Sequence, residues 1–375
     1  MKTRMMAWLR EETVLVVSAL LAAGSCLLVK PDEEYLSYFS GNMDTILILF
    51  CLMTVVAGLR SLGVFRYVGH CLLEKIRSER GIVLLLVFLC FLGSMVITND
   101  VALITFVPFG LLVLEMAGMT NRVCFVITLM TIGANLGSML TPMGNPQNLY
   151  LYCLSGMSLL EFVKLMLPYT LAAALGLFLC SFFGFRGTEI SVEKGKKEEK
   201  PEIPEIPSVI YYSFLFLICL QTVSGGIPAF ALLLIISGAV IVRDRGLFGK
   251  VDYSLLLTFL FFFVFIGNMN RYAPFRDFVV SMISGHETQA AILMSQVISN
   301  VPAALLLSNF TGEWESLIVG TNLGGLGTLI ASMASLISYK QAVSYCPEKK
   351  NRYLAVFTGW NLIFLAALWA LKLCL

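Results

Sequence analysis

The stretch SMVITN at residues 94–99 recurs, slightly altered, as SQVISN at residues 295–300. Both copies read Ser-x-Val-Ile-(Thr/Ser)-Asn and lie inside long apolar segments. A second pair of motifs follows in the same order, GANLG at 133–137 and GTNLG at 320–324. Polar residues and glycines at membrane depth are unfavourable unless they line a site. The matched pairs indicate a duplicated membrane protein with one composite site, an arrangement common among secondary transporters.

The composition of the chain excludes an ordinary soluble domain. Hydrophobic residues make up 58% of the sequence and charged residues only 13%, and the mean hydropathy is +0.84. A bilayer crossing needs about 20 apolar residues, and several uncharged runs approach or exceed that length. We therefore predict an all-α polytopic protein of the plasma or inner membrane, with about nine spans plus two re-entrant hairpins.

The positive charges are clustered, and the positive-inside rule predicts that the clusters face the cytoplasm. Most of the 26 lysines and arginines lie in six segments: Lys2 to Arg10, Arg60 to Arg80, Arg122, Arg186 to Lys200, Arg243 to Lys250 and Lys340 to Arg352. Counting crossings from a cytoplasmic N-terminus leaves the C-terminus outside. The sequence has no large basic face, so nucleic acid is not an expected partner.

Charge and crossing parity divide the chain into two repeats and a connection. The first repeat is predicted at 1–185, the cytoplasmic linker with a connecting helix at 186–226, and the second repeat at 227–375. Within them we predict hairpins at 81–117 and 287–313 and broken helices at 123–150 and 314–338. Further helices are predicted at about 13–29, 43–59, 158–185, 208–224, 227–243, 253–270 and 352–373. The helix at 208–224 adds an odd crossing, which inverts the second repeat relative to the first.

Length indicates that the second motif lies in a re-entrant hairpin. Each arm between Glu287 and Glu313 has about 11 uncharged residues, roughly 16 Å of helix. A hydrocarbon core of about 30 Å cannot be crossed by such an arm, so the tip should stop near the midplane. The first copy is almost long enough to span, and its assignment as a hairpin depends on the repeat.

The two hairpin tips are the predicted core of the site. Tips that enter from opposite faces would bring Thr98 and Asn99 close to Ser299 and Asn300. Helix ends there expose free N–H groups, which suit an anion, or C=O groups, which suit Na⁺. One helical turn earlier, Ser94 and Ser295 would add hydroxyl ligands beneath the tips. The alternative is that these polar residues only cap the turns.

Each motif is followed by a segment that should break its helix. Residues 133–148 read GANLGSMLTPMGNPQN, and their counterpart at 320–335 reads GTNLGGLGTLIASMAS. Proline removes a donor and clashes with the preceding turn, and unwound backbone is tolerated in a membrane only inside protein or against water. Asn145 corresponds to Ser332 in the second break. The alternative is that the glycines merely allow close helix packing.

Asp100 is the only charged residue between Arg80 and Glu115, and its partner in the second copy is Val301. An acid at membrane depth is a candidate proton carrier or cation ligand. The alternative is an acid at the hairpin tip that is hydrated from a cavity and caps the following arm.

These motifs resemble the ion-transporter superfamily that includes divalent-anion/sodium symporters, citrate transporters, arsenite-pump membrane subunits and one type of sodium/proton antiporter. Thr98-Asn99-Asp100 and Ser299-Asn300-Val301 are similar to its paired tips, and LTPMGNPQN at 140–148 and GTLIASMAS at 327–335 to its paired unwound segments. The resemblance implies a homodimer in which the hairpins and broken helices form a transport domain that moves as an elevator against a scaffold.

The resemblance also implies the binding residues. Together with the polar residues of the breaks, it makes the candidate substrate positions Thr98, Asn99, Asp100, Asn145, Pro146, Ser299, Asn300, Val301 and Ser332. The candidate Na⁺ positions are Ser94, Asn99, Gly144, Asn145, Ser295, Asn300 and Ala331. No transition metal and no organic cofactor are expected.

The function predicted from these features is ion-coupled secondary transport of a small anion, such as citrate, a dicarboxylate or an inorganic oxyanion. The hydroxyl ladders favour Na⁺ as the coupling ion, and Asp100 favours H⁺. Arsenite efflux and Na⁺/H⁺ antiport are the alternatives within transport; a channel or a membrane-embedded enzyme stands outside it. An enzyme is disfavoured because two histidines and one deep acid supply no convergent catalytic set.

Overall fold

The computed structural model describes residues 12–29, 33–73, 76, 78–187 and 203–375, with the side chains of the second range from residue 42 onward. Three features of the sequence analysis lie outside the described residues. They are the basic N-terminal cluster, the pair Lys75 and Arg77 of the first long basic segment, and most of the charged linker.

The first half of the chain forms helices that follow the predicted segments. They are α1 Thr13–Leu28, α2 Glu33–Ser61, α3 Val64–Leu73, α4 Glu79–Gly93, α5 Asn99–Met116, α6 Val123–Ser138, α7 Pro146–Ser155 and α8 Leu159–Gly184. The main difference is α2, which begins well before the predicted start at 43. The first hairpin consists of α4 and α5, and α6 and α7 are the halves of the first broken helix.

The second half continues with α9 Ile206–Val223, α10 Ala229–Arg243, α11 Tyr253–Arg271, α12 Ala273–Ile283, α13 Glu287–Ile298, α14 Asn300–Leu307, α15 Trp314–Gly324, α16 Met333–Tyr345 and α17 Lys350–Cys374. The helix α12 is not among the helices predicted from the sequence. Proline in its first turn suits a helix start, where the missing N–H would have no partner anyway. The second hairpin is α13 and α14.

Six helices among the described residues are long and apolar enough to cross a membrane: Asn42–Ser61, Asn99–Met116, Leu159–Gly184, Ile206–Val223, Tyr253–Arg271 and Pro347–Cys374. Two shorter apolar helices, α1 and α10, add to them. The protein is therefore built of several apolar helices, as predicted. The number of spans and the inverted orientation of the repeats stay predictions.

The helices pack in two groups with the candidate site between them. In one group α2 contacts α9, α10 and α11, and α1 lies along α11. In the other group each hairpin lies against a broken helix, with α4 on α6 and α13 on α15, while α5 contacts α16 and α7 contacts both α14 and α15. We name the first group the α2 group and the second the tip group.

Glycines let each hairpin approach its broken helix closely. An added Cβ at Gly137 would overlap the carbonyl oxygen of Phe91 and lie 2.6 Å from the Ser94 hydroxyl. At Gly324 the Cβ would lie 2.6 Å from the hydroxyl of Ser295, the counterpart of Ser94. Gly137 does not break its helix as predicted, because it serves this contact inside α6, and the actual break spans 139–145.

Replacing either close-packed glycine is expected to destabilise the protein. Gly137→Ala should lower the free energy of unfolding by about 1–3 kcal/mol, since a backbone carbonyl cannot move aside as a side chain can. Reversible SDS titration of each variant would measure this loss. Gly359→Ala is the matched control, because its Cβ would have open space within α17, and it should be neutral or stabilising. Equal behaviour of the two variants would contradict the packing role.

Candidate functional site

The first tip joins α4 to α5 through residues 94–98. Thr98 precedes the first turn of α5 in an extended conformation, and the Asn99 Oδ1 atom accepts the backbone N–H of Asp100 at 2.9 Å. The predicted ladder of Ser94 and Thr98 on one continuous helix is wrong, because α4 ends at Gly93. The Met95 carbonyl, which a continuous helix would use internally, accepts the Thr141 hydroxyl at 2.7 Å.

The second tip is tighter than the first. Ser299 separates α13 from α14 with a φ of 76°, the one positive φ of a non-glycine residue in the described chain. Its N–H donates to the Ser295 carbonyl at 3.0 Å, so here Ser295 does lie one helical turn before the tip. The Asn300 N–H donates to the Ala331 carbonyl at 3.0 Å. The two tips therefore share a sequence pattern but differ in backbone conformation.

The strain at Ser299 can be measured with a pair of variants. Ser299→Gly should be more stable than Ser299→Ala by about 1–3 kcal/mol, because both lose the hydroxyl but only glycine adopts this conformation freely. SDS titration of the two proteins would give the difference. The same pair at Thr98, whose φ is −61°, should show the opposite order. Equal stability of Ser299→Ala and Ser299→Gly would show that the backbone of the second tip is not strained.

The first break is organised by Asn145. This residue caps α7, since its Oδ1 atom accepts the Asn148 N–H at 2.9 Å, and Pro146 follows in the first turn. The Asn145 amide donates to the Ser138 hydroxyl at 3.1 Å and to Asn322 Oδ1 at 3.2 Å. The Asn145 side chain thus joins the two sides of the break, and its amide also reaches the other half of the chain.

The second break is held by a glutamine. The Gln296 amide donates to the carbonyls of Gly324 and Leu326 at 3.0 and 2.9 Å, and its Oε1 atom accepts the Thr328 N–H at 2.9 Å. These bonds satisfy backbone groups that the interrupted helix leaves without partners. The first copy has Met95 at this position. In the first break it is the Asn148 amide that donates to backbone carbonyls, those of Ser138 and Met139 at 3.4 Å and of Thr141 at 3.3 Å.

The two tips are linked by hydrogen bonds through the second break. The Asn99 amide donates to Asn135 Oδ1 at 3.0 Å, and the Ser332 hydroxyl donates to the same atom at 3.1 Å. Ala331, next to Ser332, holds the second tip through Asn300. The predicted proximity of the tips is therefore seen as a short chain of hydrogen bonds through residues 331–332.

A cavity of about 580 Å³ lies between the two helix groups. Four predicted substrate residues line its tip-group side: Thr98, Asp100, Asn145 and Pro146. Opposite them lie residues of α2, Phe216 of α9 and the start of α11. The other predicted substrate residues are no more than 8% exposed and do not line the cavity: Asn99, Ser299, Asn300, Val301 and Ser332.

The charges around this cavity are unevenly distributed. Asp100 is the charged side chain on the tip-group wall, whereas Arg60, Lys250 and Asp252 come from the α2 group and are exposed. Asp252 also caps α11 by accepting the Leu255 N–H at 3.0 Å. The exposed residues mark the rim, so a solute would meet two cations and a carboxylate there before it reaches Asp100.

The predicted Na⁺ positions lie at the tips, beneath them and in the first break, and all of these residues are buried. The hydroxyls of Ser94 and Ser295 donate to carbonyls of their own helices, at 2.9 and 2.6 Å, and keep oxygen lone pairs for a cation. The Ala331 carbonyl already accepts the Asn300 N–H. Gly144 packs against the Ser138 carbonyl so closely that a side chain would overlap it. Ion binding at these positions stays a prediction.

The sequence analysis missed several residues of the site. Asn135 and Asn322 belong to the repeated GxNLG motif that it noted, yet they were not selected as site residues. The signal was present, since the two asparagines occupy equivalent positions of the two copies. Arg60 and Lys250 were noted only as members of basic clusters, because nothing in the sequence indicates that α2 and the segment before α11 share a cavity.

Comparison with known proteins agrees with this architecture. The citrate transporter family matches residues 5–313, which include both hairpins and the first broken helix. The chain belongs to the citrate transporter family. It is accordingly a multi-pass membrane transporter and not an enzyme, as the motifs predicted.

Several relatives cover most of this citrate transporter family member. An uncharacterized transporter of Methanocaldococcus jannaschii is 35% identical over 297 residues, covering 79% of this chain and 80% of the relative. An inner membrane protein of Escherichia coli strain K12 is 31% identical over 307 residues, with 80% of each chain covered. A silicon efflux transporter of Oryza sativa subsp. japonica is 32% identical over 146 residues, 38% of this chain and 29% of the relative.

Proposed function

We propose that the chain is an ion-coupled secondary active transporter of a small anion that works by elevator-type alternating access. The observation that carries this proposal is the cavity between the α2 group and the tip group. Its wall combines the first tip and the first break, the two kinds of segment in which secondary transporters hold substrate and ion. Its rim carries Arg60 and Lys250, whose charge would attract an anion.

The position of the rim supports a cytoplasm-facing state. Arg60 and Lys250 belong to basic clusters that the positive-inside rule assigns to the cytoplasm. A movement of the tip group along the α2 group would close this opening and expose the tips to the other side. The inverted repeat supports such a movement, because equivalent hairpins would then serve the two faces in turn. A homodimer would anchor the α2 group while the tip group moves.

The cavity and the names of the relatives support the proposed substrate class. A volume of about 580 Å³ is within the usual range for sites that bind small molecules. The family description names citrate, and one relative is named for silicon efflux. Both are compatible with a small oxygen-rich solute that is bound by the Thr98 hydroxyl and the Asn145 amide on the cavity wall. Na⁺ is the favoured coupling ion because of the hydroxyl oxygens beneath the tips.

A second candidate is efflux of arsenite, or Na⁺/H⁺ exchange, and Asp100 favours it. A carboxylate on the substrate wall repels a dianion but accepts a proton or pairs with a cation. A neutral oxyacid such as arsenous acid would not meet this repulsion. The substrate assay below therefore includes arsenite beside the carboxylates.

Uptake by purified protein in liposomes tests the proposed function. Labelled citrate, succinate, sulfate, arsenite and silicic acid would be offered separately under an imposed Na⁺ gradient or an imposed pH gradient. We expect saturable uptake of one of these solutes, driven by one of the gradients. No saturable flux under any gradient would refute secondary transport, and ion conductance that does not saturate would indicate a channel instead.

Cysteine labelling tests the inverted topology. In a cysteine-free background, Asn121→Cys should react with a membrane-impermeant maleimide only from the cytoplasmic face, because it follows the first hairpin. His286→Cys precedes the second hairpin and should react only from outside. Both side chains are exposed, so access depends on the membrane and not on burial. Labelling of both from one face would contradict the inversion.

A further inference from the structure

Two buried asparagines connect the halves of the chain in a reciprocal pattern. Asn135 of α6 accepts the Ser332 hydroxyl at 3.1 Å and donates to the Ser335 hydroxyl at 3.3 Å. Asn322 of α15 accepts the Asn145 amide at 3.2 Å and donates to Asn148 Oδ1 at 2.6 Å. Each asparagine thus bonds to the break that belongs to the other half.

The partners correspond as closely as the asparagines do. Asn135 and Asn322 are 187 positions apart, and the same offset relates Asn145 to Ser332 and Asn148 to Ser335. A two-fold exchange of contacts, and not a chance pairing of polar side chains, accounts for this agreement. We name these six residues the asparagine cross-brace: Asn135, Ser332, Ser335, Asn322, Asn145 and Asn148.

The cross-brace is closed to solvent and carries no formal charge. Its six residues are no more than 5% exposed. Asn322 also donates to the Ile318 carbonyl of its own helix at 2.8 Å. In surroundings of low dielectric constant a buried polar group that loses its partner is strongly destabilising. Each asparagine therefore restricts the opposite break to one arrangement.

The cross-brace reaches the proposed binding residues at both ends. Asn135 Oδ1 accepts the Asn99 amide of the first tip at 3.0 Å as well as Ser332. Ser332 adjoins Ala331, whose carbonyl holds the second tip through the Asn300 N–H at 3.0 Å. At the other end Asn322 holds Asn145, which lines the cavity. The Asn145 amide also donates to the Ser138 hydroxyl at 3.1 Å, and that hydroxyl donates to the Asn135 carbonyl at 2.8 Å. One network thus links both tips and the first break.

We propose that Asn135 and Asn322 are positioning residues, each of which fixes the break of the opposite half so that both tips form one rigid binding unit. The role of this unit in binding rests on the proposed function, whereas the hydrogen bonds that form it do not. A rigid unit would let the substrate and the coupling ion stabilise the same arrangement, which is the requirement for coupling between two ligands.

Hydrogen–deuterium exchange of the reconstituted full-length protein tests the crossing directly. Asn135→Ala should accelerate exchange at least ~10-fold in segment 328–335 and less in segment 139–149. Asn322→Ala should accelerate exchange at least ~10-fold in segment 139–149 and less in segment 328–335. A tenfold change corresponds to about 1.4 kcal/mol of local stability. Ordinary loss of packing would instead accelerate exchange around the substituted residue, in α6 or α15, or throughout the protein.

Milder variants and a matched control keep the test decisive. Ser335→Ala removes only the hydroxyl that accepts the Asn135 amide, so it should accelerate exchange in the same segment to a smaller extent. It replaces Asn135→Ala in the test if that variant does not fold. Asn361→Ala is the control, because Asn361 is equally buried and donates only to Phe357 of its own helix. It should leave both breaks unchanged. Exchange that rises around the substituted residue but not in the break of the opposite half, or that rises equally in the control, would overturn the proposal.

The transport arm separates this inference from the proposed function. With labelled citrate as the probe, lowering Na⁺ should raise the citrate KM of the native protein, and this dependence should weaken at least ~10-fold in Asn322→Ala but not in Asn361→Ala. An unchanged dependence would overturn the positioning role. Lack of citrate or other uptake by the native protein would refute the proposed function alone, since the exchange result needs no substrate.

Discussion

Asp100→Asn is expected to abolish proton-driven uptake while Na⁺-driven uptake largely survives. The amide has nearly the same shape as the carboxyl but takes up no proton in the physiological range. Asp100 lines the cavity wall beside Thr98 and Asn145, where a proton carrier would act on substrate binding. The rate under a pH gradient should fall roughly 100-fold, equivalent to about 2.7 kcal/mol in the barrier.

Asp252→Asn is the control for this experiment. Asp252 lines the same cavity but lies at its exposed rim, and asparagine can replace it as the cap of α11. Uptake by this variant should keep its dependence on both gradients. Each gradient would be imposed separately on the same preparation of liposomes. An unchanged pH dependence in Asp100→Asn would remove Asp100 from the coupling role.

Asn145→Ala is expected to be the most destabilising single change in the site. The variant loses the cap of α7, worth about 0.5–2 kcal/mol. It also leaves Asn322 Oδ1 buried without the donor that it has at 3.2 Å, at a cost of about 1–3 kcal/mol. Because Asn145 lines the cavity, substrate uptake should be lost as well. SDS titration and liposome uptake of the same preparation would measure both effects.

Asn145→Ser separates capping from bridging. Serine caps a helix about as well as asparagine, but its short side chain cannot reach Asn322. We expect this variant to recover the capping part of the stability and to remain defective in transport. Full recovery of uptake would show that Asn145 acts only as a cap, and no recovery of stability would show that the cap contributes little.

The fold was predictable to the extent that it depends on local pattern. The apolar runs predicted the positions of the long helices, and Pro142 and Pro146 predicted the position of the first break. The break itself is shorter than the pattern suggested, since α6 continues to Ser138. A glycine in a helix either weakens the helix or allows another element to pack closely against it. The contact between Gly137 and the Phe91 carbonyl shows that Gly137 does the second. The short helix α12, which lies between α11 and the second hairpin, was not predicted.

The candidate site was predictable in its residue types but not in its connections. The repeated motif selected Asn99, Asn300, Asn145 and Ser332, which the structure brings into one hydrogen-bonded region. Equivalent sequence did not guarantee equivalent conformation, because Ser299 adopts a positive φ and Thr98 does not. A backbone angle at a turn depends on what the following residues contact, and Asn300 is held by the distant Ala331.

The amino-acid sequence was sufficient to identify a helical membrane transporter with two copies of a polar motif and with interrupted helices. These properties depend on composition, on the length of apolar runs and on repeated motifs, all of which are visible in the linear sequence. Two features are visible only in the folded protein: the asparagines of each half bind the break of the other, and Arg60 and Lys250 share a cavity with Asp100. Those contacts join residues far apart in the chain, and helix packing, which no local rule specifies, brings them together.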